Sequence, residues 1–459
     1  MINKKKIIVF IPSRSNYSRF FELSDLLGKS SNFYFTKREI NAEMYLPIVV
    51  NTLEDLEDEN FINNKYIIKY KFNENMNFIF DCSIEAITLS DQTSEILIKF
   101  HKIIKKLDID SKRITILNAN YKSKKFYKEW AGKNNIQEKI NLIGYNFYLY
   151  EYYSEILFSN FFKKNYINFQ NKSLEKNHDR KKFMSLCLRP RWHRKAITLF
   201  LLSMDYIKDG IVSYFGETFG NNDSKTVNTS NESNNKIKLL QKSDLLLDKV
   251  IYLDQLSPII YERDIKKIKK DLWDRKKGEI NFLIPEITDD DNYDYIQSYF
   301  EIVSETWLTD GRCLYFTEKI LRPILRSNFF IIAGSPYTLK YFNEIGFKTF
   351  SPYINEDYDS VECPEKRMDM VLNEVERICS MSDEKLKKLY DNIEKQIIHN
   401  YKFLLNGIEL SFENEINTNI VPHLESTELS LSKIFLLLDN FRAFSYRKHK
   451  KNNYFKFKL

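Results

Sequence analysis

Short apolar runs alternate with longer amphipathic segments along most of this chain, and no other feature constrains the fold as strongly. In the first third of the sequence, runs of strand length lie at residues 6–11, 67–70, 77–81, 113–117 and 140–143. Amphipathic segments with a helical period lie between several of them, at residues 94–106 and 123–130. Buried strands separated by amphipathic helices are typical of α/β proteins with parallel sheets. The pattern therefore predicts an α/β fold.

The alternation resumes after a polar stretch at residues 171–182, which lacks an apolar period and predicts a linker. Beyond it we predict strands at residues 183–188, 299–304, 329–333 and 347–350, and helices at residues 195–204, 318–326 and 337–345. Residues 220–236 contain one apolar side chain, Val227, and therefore predict a mobile surface loop. Residues 364–423 and 429–444 have charged patterns of helical period.

The length of 459 residues is about three times that of a typical domain of ~150 residues. We therefore expect two domains and a tail. Residues 1–170 are predicted to form an N-terminal Rossmann-like domain, and residues 183–395 a second one. Residues 396–459 are predicted to form C-terminal helices and a basic aromatic tail.

Composition excludes several classes of protein. A hydrophobic content of 43% excludes wholesale disorder, and 11 Gly and 10 Pro exclude a collagen-like chain. The five cysteines are odd in number and far apart, which favours reduced thiols in the cytoplasm over a disulfide framework. The apolar start ends at Pro12, too early for an export signal or a membrane span. A net charge of +7 permits an anionic partner without requiring one.

The segment at residues 301–359 has the densest pattern of candidate binding residues. Thr317 fits a helix N-cap, with Glu318 and Lys319 in the first turn. Such a helix start suits a diphosphate, and a carboxylate there can hydrogen-bond a sugar hydroxyl. Gly334 and Ser335 follow a predicted strand and would lie on the same edge of the sheet. The alternative for Glu318, a surface residue that stabilises the helix dipole, is the more common one.

A basic cluster follows the predicted strand at residues 183–188. Arg189, Arg191, His193 and Arg194 lie within six residues, and their donors would stabilise the negative charge of a diphosphate leaving group. The alternative is a solvated basic turn or a contact with nucleic-acid phosphates.

Two carboxylates are the best candidates for a general base that deprotonates an incoming hydroxyl. Asp81 lies at the end of a predicted strand, and Glu85 follows it in the next loop. A helix-capping role for either residue is the more common alternative. Three Asp-x-Asp patterns, at residues 108–110, 289–291 and 357–359, resemble common acidic turns, so we predict no catalytic metal site.

Several motifs together resemble a known family. Thr317-Glu318-Lys319-Ile320, Pro323-Ile324, Gly334-Ser335-Pro336 and Gly346-Phe347 resemble the donor-site region of the α-1,3-fucosyltransferase-like glycosyltransferases, family ten, which have the GT-B fold. The chain is also similar to a broader set of viral and bacterial GT-B-like proteins, on the stretch from Arg189 to Arg194, the Thr317 helix start, residues 346–350 and His399-Asn400. The resemblance covers residues 183–403.

The resemblance implies two Rossmann-like domains that face a cleft, and transfer of a sugar from a GDP- or UDP-sugar to a hydroxyl acceptor. The acceptor would be a glycan, a lipid-linked glycan or another hydroxyl compound, and no cofactor would be required. Glu318 would bind the ribose or the sugar and Lys319 the diphosphate, with Glu305 nearby. The loop between Glu305 and Thr317 is longer than in fucosyltransferases, which leaves the sugar open.

Two other functions stay open at this point. The basic clusters are compatible with a protein that binds or modifies nucleic acid, although we favour it less. A catalytically inert relative that serves as a scaffold is the third possibility. The tail at residues 442–459 interleaves basic and aromatic side chains, which permits peripheral contact with anionic lipid, although a solvated end is the more common case.

Overall fold

The structure is a computed structural model. It describes residues 7–10, 33–36, 44–49, 64–82, 91–137, 139–147, 149–150, 153, 180–187, 191–214, 216, 233–257, 259, 298–311, 313–314 and 316–420. The chain divides into two compact units. The first contains the described residues up to Phe147 and those from Phe412 onward, and the second contains those between. Each unit is built on a parallel sheet with helices, so the predicted α/β class is confirmed.

The first unit has a six-stranded parallel sheet in the order β2-β1-β3-β4-β5-β6. Its strands are β1 (Ile7–Phe10), β2 (Phe33–Thr36), β3 (Met44–Val49), β4 (Met76–Cys82), β5 (Ile114–Asn118) and β6 (Asn141–Gly144). Its helices are α1 (Lys65–Tyr70), α2 (Asp91–Leu107) and α3 (Ser123–Lys133). β4 and β5 are buried along their whole length, as expected for central strands of a covered parallel sheet.

Two predictions for the first unit need correction. The strand predicted at residues 67–70 is wrong, because these residues belong to α1. The Asn64 side chain caps this helix by accepting hydrogen bonds from the backbone N–H groups of Tyr66 and Ile67, at 3.0 and 3.3 Å. Strands β2 and β3 were also not predicted from the sequence. β3 contains Pro47, and proline is unfavourable inside a sheet because it has no backbone N–H.

The second unit has a four-stranded parallel sheet in the order β10-β9-β7-β8. Its strands are β7 (Lys181–Cys187), β8 (Gly210–Tyr214), β9 (Ser298–Ser304) and β10 (Phe329–Ala333). The helices along this part of the chain are α4 (Trp192–Ser203), α5 (Ser243–Leu247), α6 (Val250–Leu256), α7 (Glu318–Leu325), α8 (Thr338–Ile345), α9 (Pro364–Cys379) and α10 (Asp383–Asn406). Helix α11 (Ile408–Glu415) and a π-helical turn at Ile416–Ile420 follow.

Sequence and structure agree closely around β9 and β10. The strand predicted at residues 329–333 is β10, and all five of its residues are buried. The predicted C-cap Gly346 has φ +124°, and a Cβ there would lie 2.6 Å from the Phe403 ring, so glycine is required. The strand predicted at residues 347–350 is wrong. Phe347 and Phe350 instead bury their rings from a loop, against Phe342 and Phe330.

The predicted boundaries differ from the elements in places. The boundary after residue 395 falls inside α10, and the last residues of the predicted linker, Lys181 and Lys182, belong to β7. Residues 233–236 of the predicted mobile loop lie in a helical turn, whereas residues 220–232 lie outside the described residues, as does the tail from residue 421. All five cysteines are free thiols. Among the described helices, none is long and apolar enough to cross a membrane.

A buried ion pair joins β9 to the residue that follows α7. Glu301 Oε2 lies 3.2 Å from Arg326 Nη1, and the two side chains are 5% and 6% exposed. Arg326 Nη1 also lies 3.5 Å from the sulfur of Met184 in β7. Because both charges are buried, removal of either one would leave the other buried without a compensating charge and would destabilise the fold.

Candidate functional site

The carboxyl end of β9 and the start of α7 are joined by the side chain of Glu305. This residue directly follows β9, and its carboxylate accepts a hydrogen bond from Thr317 Oγ1 at 2.6 Å and from the Thr306 backbone N–H at 3.1 Å. Thr317 Oγ1 in turn accepts from the Lys319 backbone N–H at 3.3 Å, so Thr317 is the N-cap of α7 as predicted. Glu305 and Thr317 are both buried. These bonds hold the loop at both of its ends.

Lys319 lies above this buried pair. Its Nζ is 3.3 Å from both Thr306 Oγ1 and Thr317 Oγ1, and 2.8 Å from Glu318 Oε1. Arg322 Nη2 lies 3.9 Å from the same Glu318 oxygen. The side chains of Glu318, Lys319 and Arg322 are 18%, 24% and 18% exposed. Two cations beside one carboxylate, at a helix N-terminus that carries partial positive charge, make this surface favourable for an anion.

The two glutamates of this region have opposite pKa shifts. Burial raises the pKa of the Glu305 carboxyl, although the charge of Lys319 and the Thr317 hydrogen bond oppose the shift. Burial also acts to raise the pKa of Glu318, but the charges of Lys319 and Arg322 outweigh it and lower that pKa to about 2. Glu318 is therefore a stable anion, whereas Glu305 holds a proton more readily than an exposed glutamate does.

The low pKa of Glu318 predicts a pH dependence of stability. Its contribution is complete above its unfolded pKa of 4.5 and is lost as the pH falls toward about 2. Between these values we expect wild type to lose more stability than the Glu318→Gln variant, as measured by the midpoint of urea unfolding. Asp383→Asn is the matched control, because Asp383 occupies the same position in α10 and is exposed. Parallel pH profiles of wild type and Glu318→Gln would contradict the assignment of this ion pair.

His193 and Arg194, two predicted donor ligands, hold the backbone at the end of β9. His193 Nε2 lies 2.9 Å from the Glu305 carbonyl oxygen, and Arg194 Nη2 donates to the Ser304 and Glu305 carbonyls at 3.3 and 3.2 Å. A carbonyl only accepts, so the His193 Nε2 carries the hydrogen. Both side chains are buried. The structure therefore gives them a positioning contact with Glu305, and their role as phosphate ligands stays a prediction.

The protonation state of His193 follows from its surroundings. Burial lowers its pKa well below the usual range, and the charge of Arg194 lowers it further. The ring is therefore neutral, with Nδ1 as an acceptor. That atom is buried and has no hydrogen-bond partner among the described residues.

Arg191 and Trp307 form a second contact between the same two segments. The Arg191 guanidinium carbon lies 3.9 Å from the centroid of the Trp307 ring, within the range of a strong cation–π contact. Arg191 is the N-cap residue of α4, and Trp307 lies in the loop after β9. Arg189 lies outside the described residues, so its predicted role is untested.

The turn with the predicted ligands Gly334 and Ser335 is fixed by Arg367, which sequence reasoning missed. Arg367 is buried and donates from Nε to the Gly334 carbonyl at 3.0 Å, and from Nη2 to the Thr309 carbonyl. The Ser335 hydroxyl lies 3.0 Å from that of Thr309. Arg367 thus fastens the loop after β9 onto the turn after β10. The available signal was an arginine at a position of helical period with the apolar residues Val371 and Ile378.

The start of α8, beside this turn, is occupied by a carboxylate. Asp359 accepts hydrogen bonds from the backbone N–H groups of Leu339 and Lys340, at 2.9 and 3.0 Å. It belongs to one of the three Asp-x-Asp patterns, and its role here is to cap a helix. Asp110 of another pattern caps a short 3₁₀ turn, and residues 289–291 lie outside the described residues. Among the described residues, no group of three or more His, Cys, Asp and Glu side chains could hold a metal ion.

Of the two candidate general bases, the structure describes only Asp81. It lies near the carboxyl end of β4, in register with Val49 of β3 and Leu117 of β5, and is 3% exposed. Glu85 lies outside the described residues. A catalytic role for either carboxylate stays a prediction.

Comparison with known proteins provides no family assignment. No protein-family model matches the chain, and no curated protein is significantly similar to it.

Proposed function

We propose that this protein is a glycosyltransferase that binds a nucleotide-sugar at the carboxyl edge of the four-stranded sheet and transfers the sugar to a hydroxyl acceptor. The proposal includes the GT-B architecture, whose parallel α/β units are compatible with the two sheets. It also includes a cytoplasmic location, which suits five free thiols, and peripheral membrane contact through the tail. The acceptor is left as a hydroxyl compound of unspecified class.

The observation that carries the proposal is the placement of the Lys319 ammonium at the N-terminus of α7. It lies 3.3 Å from the hydroxyls of Thr306 and Thr317. The buried Glu305 carboxylate accepts hydrogen bonds from the Thr317 hydroxyl and from the Thr306 backbone N–H. Open α/β sheets bind ligands at the carboxyl ends of their strands, and a helix N-terminus with a lysine suits a diphosphate. Glu318, held ionised, suits a hydrogen bond from a ribose or sugar hydroxyl.

The chemistry that these groups support is a substitution at the anomeric carbon. The acceptor oxygen forms a bond to that carbon, and the bond from the carbon to the diphosphate oxygen breaks. The electron pair moves onto the diphosphate, where Lys319 and the α7 amides stabilise the added charge. The acceptor proton moves to a general base, for which Asp81 and Glu85 are the sequence candidates. Arginine and lysine supply the positive charge, so the proposal needs no metal ion.

The alternative, a nucleic-acid-binding protein, requires the basic cluster at residues 189–194 to be exposed as a binding surface. Arg194 is buried and bonded to backbone carbonyls, and Arg191 stacks on Trp307. These contacts favour a local, structured role for the cluster over a solvated basic patch. We therefore keep nucleic-acid binding as an outcome of the test.

The test is a thermal-shift screen with UDP-, GDP- and CMP-sugars, and with inorganic pyrophosphate for comparison. A ligand at 100 times its Kd stabilises the folded state by about 2.7 kcal/mol, so we expect a clear rise in Tm with one nucleotide class. The opposite result is no stabilisation by any nucleotide-sugar, together with binding of DNA or RNA that weakens steeply with salt. That result would favour the alternative.

A further inference from the structure

We propose that Trp307 is an aromatic platform on which the base of the bound nucleotide stacks. This inference rests on the proposed function, since it concerns the donor that Lys319 would bind. It adds a ligand-binding role for a residue that neither the sequence motifs nor the resemblance singled out.

Trp307 lies in the loop that contacts Lys319. It follows Thr306, whose hydroxyl lies 3.3 Å from Lys319 Nζ, and it lies two residues after Glu305. Its neighbours Glu305 and Leu308 are buried, whereas Trp307 remains partly exposed. A large aromatic side chain that keeps contact with solvent beside a cationic site is available to a ligand.

The indole of Trp307 is held in a fixed orientation. The Arg191 guanidinium carbon lies 3.9 Å from the ring centroid, so one face of the ring is covered by a cation. The loop that carries the indole is anchored on both sides. Glu305 bonds Thr317 at the start of α7, and Arg367 bonds the Thr309 carbonyl. A ring held in this way loses little freedom when a ligand stacks on it.

Lys319 and Trp307 together indicate the class of ligand. Lys319 suits the diphosphate of a nucleoside diphosphate, and Trp307, the residue after the Thr306 that contacts Lys319, offers a flat aromatic ring for the base. Any of the nucleotide bases can stack on an aromatic side chain, because every base has a π-face. The platform therefore supports binding of a nucleotide, and groups other than Trp307 would select the base.

The experiment measures the Kd of UDP, GDP and inorganic pyrophosphate by isothermal titration, with wild type and three variants. Trp307→Leu should weaken binding of the preferred nucleoside diphosphate about tenfold, as expected for loss of one base–aromatic stack. Its affinity for pyrophosphate should be unchanged, and Trp307→Phe should retain most of the nucleotide affinity. Trp192→Phe is the matched control, because Trp192 also has a cation, Lys236, over its ring but is buried. It should bind like wild type.

The outcomes separate this inference from the proposed function. Equal nucleotide affinity of Trp307→Leu and wild type overturns the platform and leaves the proposed function standing. An equal loss of nucleotide and pyrophosphate affinity in Trp307→Leu also overturns it, because that pattern indicates a disturbed loop. If wild type binds neither nucleotide, the proposed function fails and the inference fails with it.

Discussion

Replacement of Lys319 by methionine is expected to lower the rate of sugar transfer by about 100-fold or more. Lys319 is the cation at the α7 N-terminus whose Nζ contacts Thr306, Thr317 and Glu318. Methionine is an unbranched side chain only one atom shorter than lysine, and it removes the charge that would stabilise the departing diphosphate. Loss of one group that stabilises developing negative charge typically costs about 10²–10³ in rate.

The readout for this variant is release of nucleoside diphosphate from the nucleotide-sugar that the screen identifies. Lys385→Met is the matched control. Lys385 is an exposed lysine in the first turn of α10, whose Ser382 cap accepts a hydrogen bond from the Lys385 backbone N–H. The control should react at the wild-type rate. A Lys319→Met variant that is as active as its control would remove the basis for a diphosphate site at α7.

Replacement of Arg326 by methionine is expected to produce the largest loss of stability. Arg326 Nη1 lies 3.2 Å from Glu301 Oε2, and both side chains are buried. Removal of one partner leaves the other charge buried without compensation, which typically costs about 3–5 kcal/mol. Urea unfolding followed by tryptophan fluorescence measures the change. Lys387→Met is the control, because its pair with Asp391 is exposed and should contribute less than about 1 kcal/mol.

A double variant tests the physical reason for that loss. Glu301→Leu combined with Arg326→Met replaces both charges with apolar groups. Much of the stability lost in Arg326→Met should then return, because no unpaired charge stays buried. If the double variant is as unstable as the sum of the two single variants, the loss comes from packing and the ion pair is not its cause.

The sheets of this protein were predictable where a strand is a continuous apolar run. β10 matches its predicted bounds because all five residues are apolar and buried. Runs of four residues were less informative, since a short apolar run fits a helix or a loop equally well. Residues 67–70 belong to α1, which Asn64 caps. Residues 347–350 lie in a loop that buries two phenylalanine rings and does not pair with a strand.

The candidate site was predictable in its local parts only. The capping role of Thr317 follows from neighbouring residues, and the sequence indicated it. The bond from Thr317 to Glu305 spans 12 residues, and that from Arg367 to Thr309 spans 58. Both depend on how the loop after β9 closes, which no local pattern specifies.

The roles of His193 and Arg194 depend on where one helix begins. We predicted a helix from residue 195, which would leave both side chains in a turn and free to meet a phosphate. Helix α4 begins at Trp192 instead, so both lie in its first turn. From there they reach the carbonyls at the end of β9. Because the helix begins three residues earlier than predicted, the expected partner of these two side chains changes from a bound phosphate to backbone carbonyl groups.

The central claim is that Lys319 and the start of α7 bind the diphosphate of a nucleotide-sugar. Isothermal titration of the full chain with GDP- and UDP-sugars tests it most directly. The account predicts saturable binding of at least one of them to wild type and to Lys385→Met, and loss of that binding in Lys319→Met. Absence of binding to wild type, or equal affinity in wild type and Lys319→Met, would contradict it.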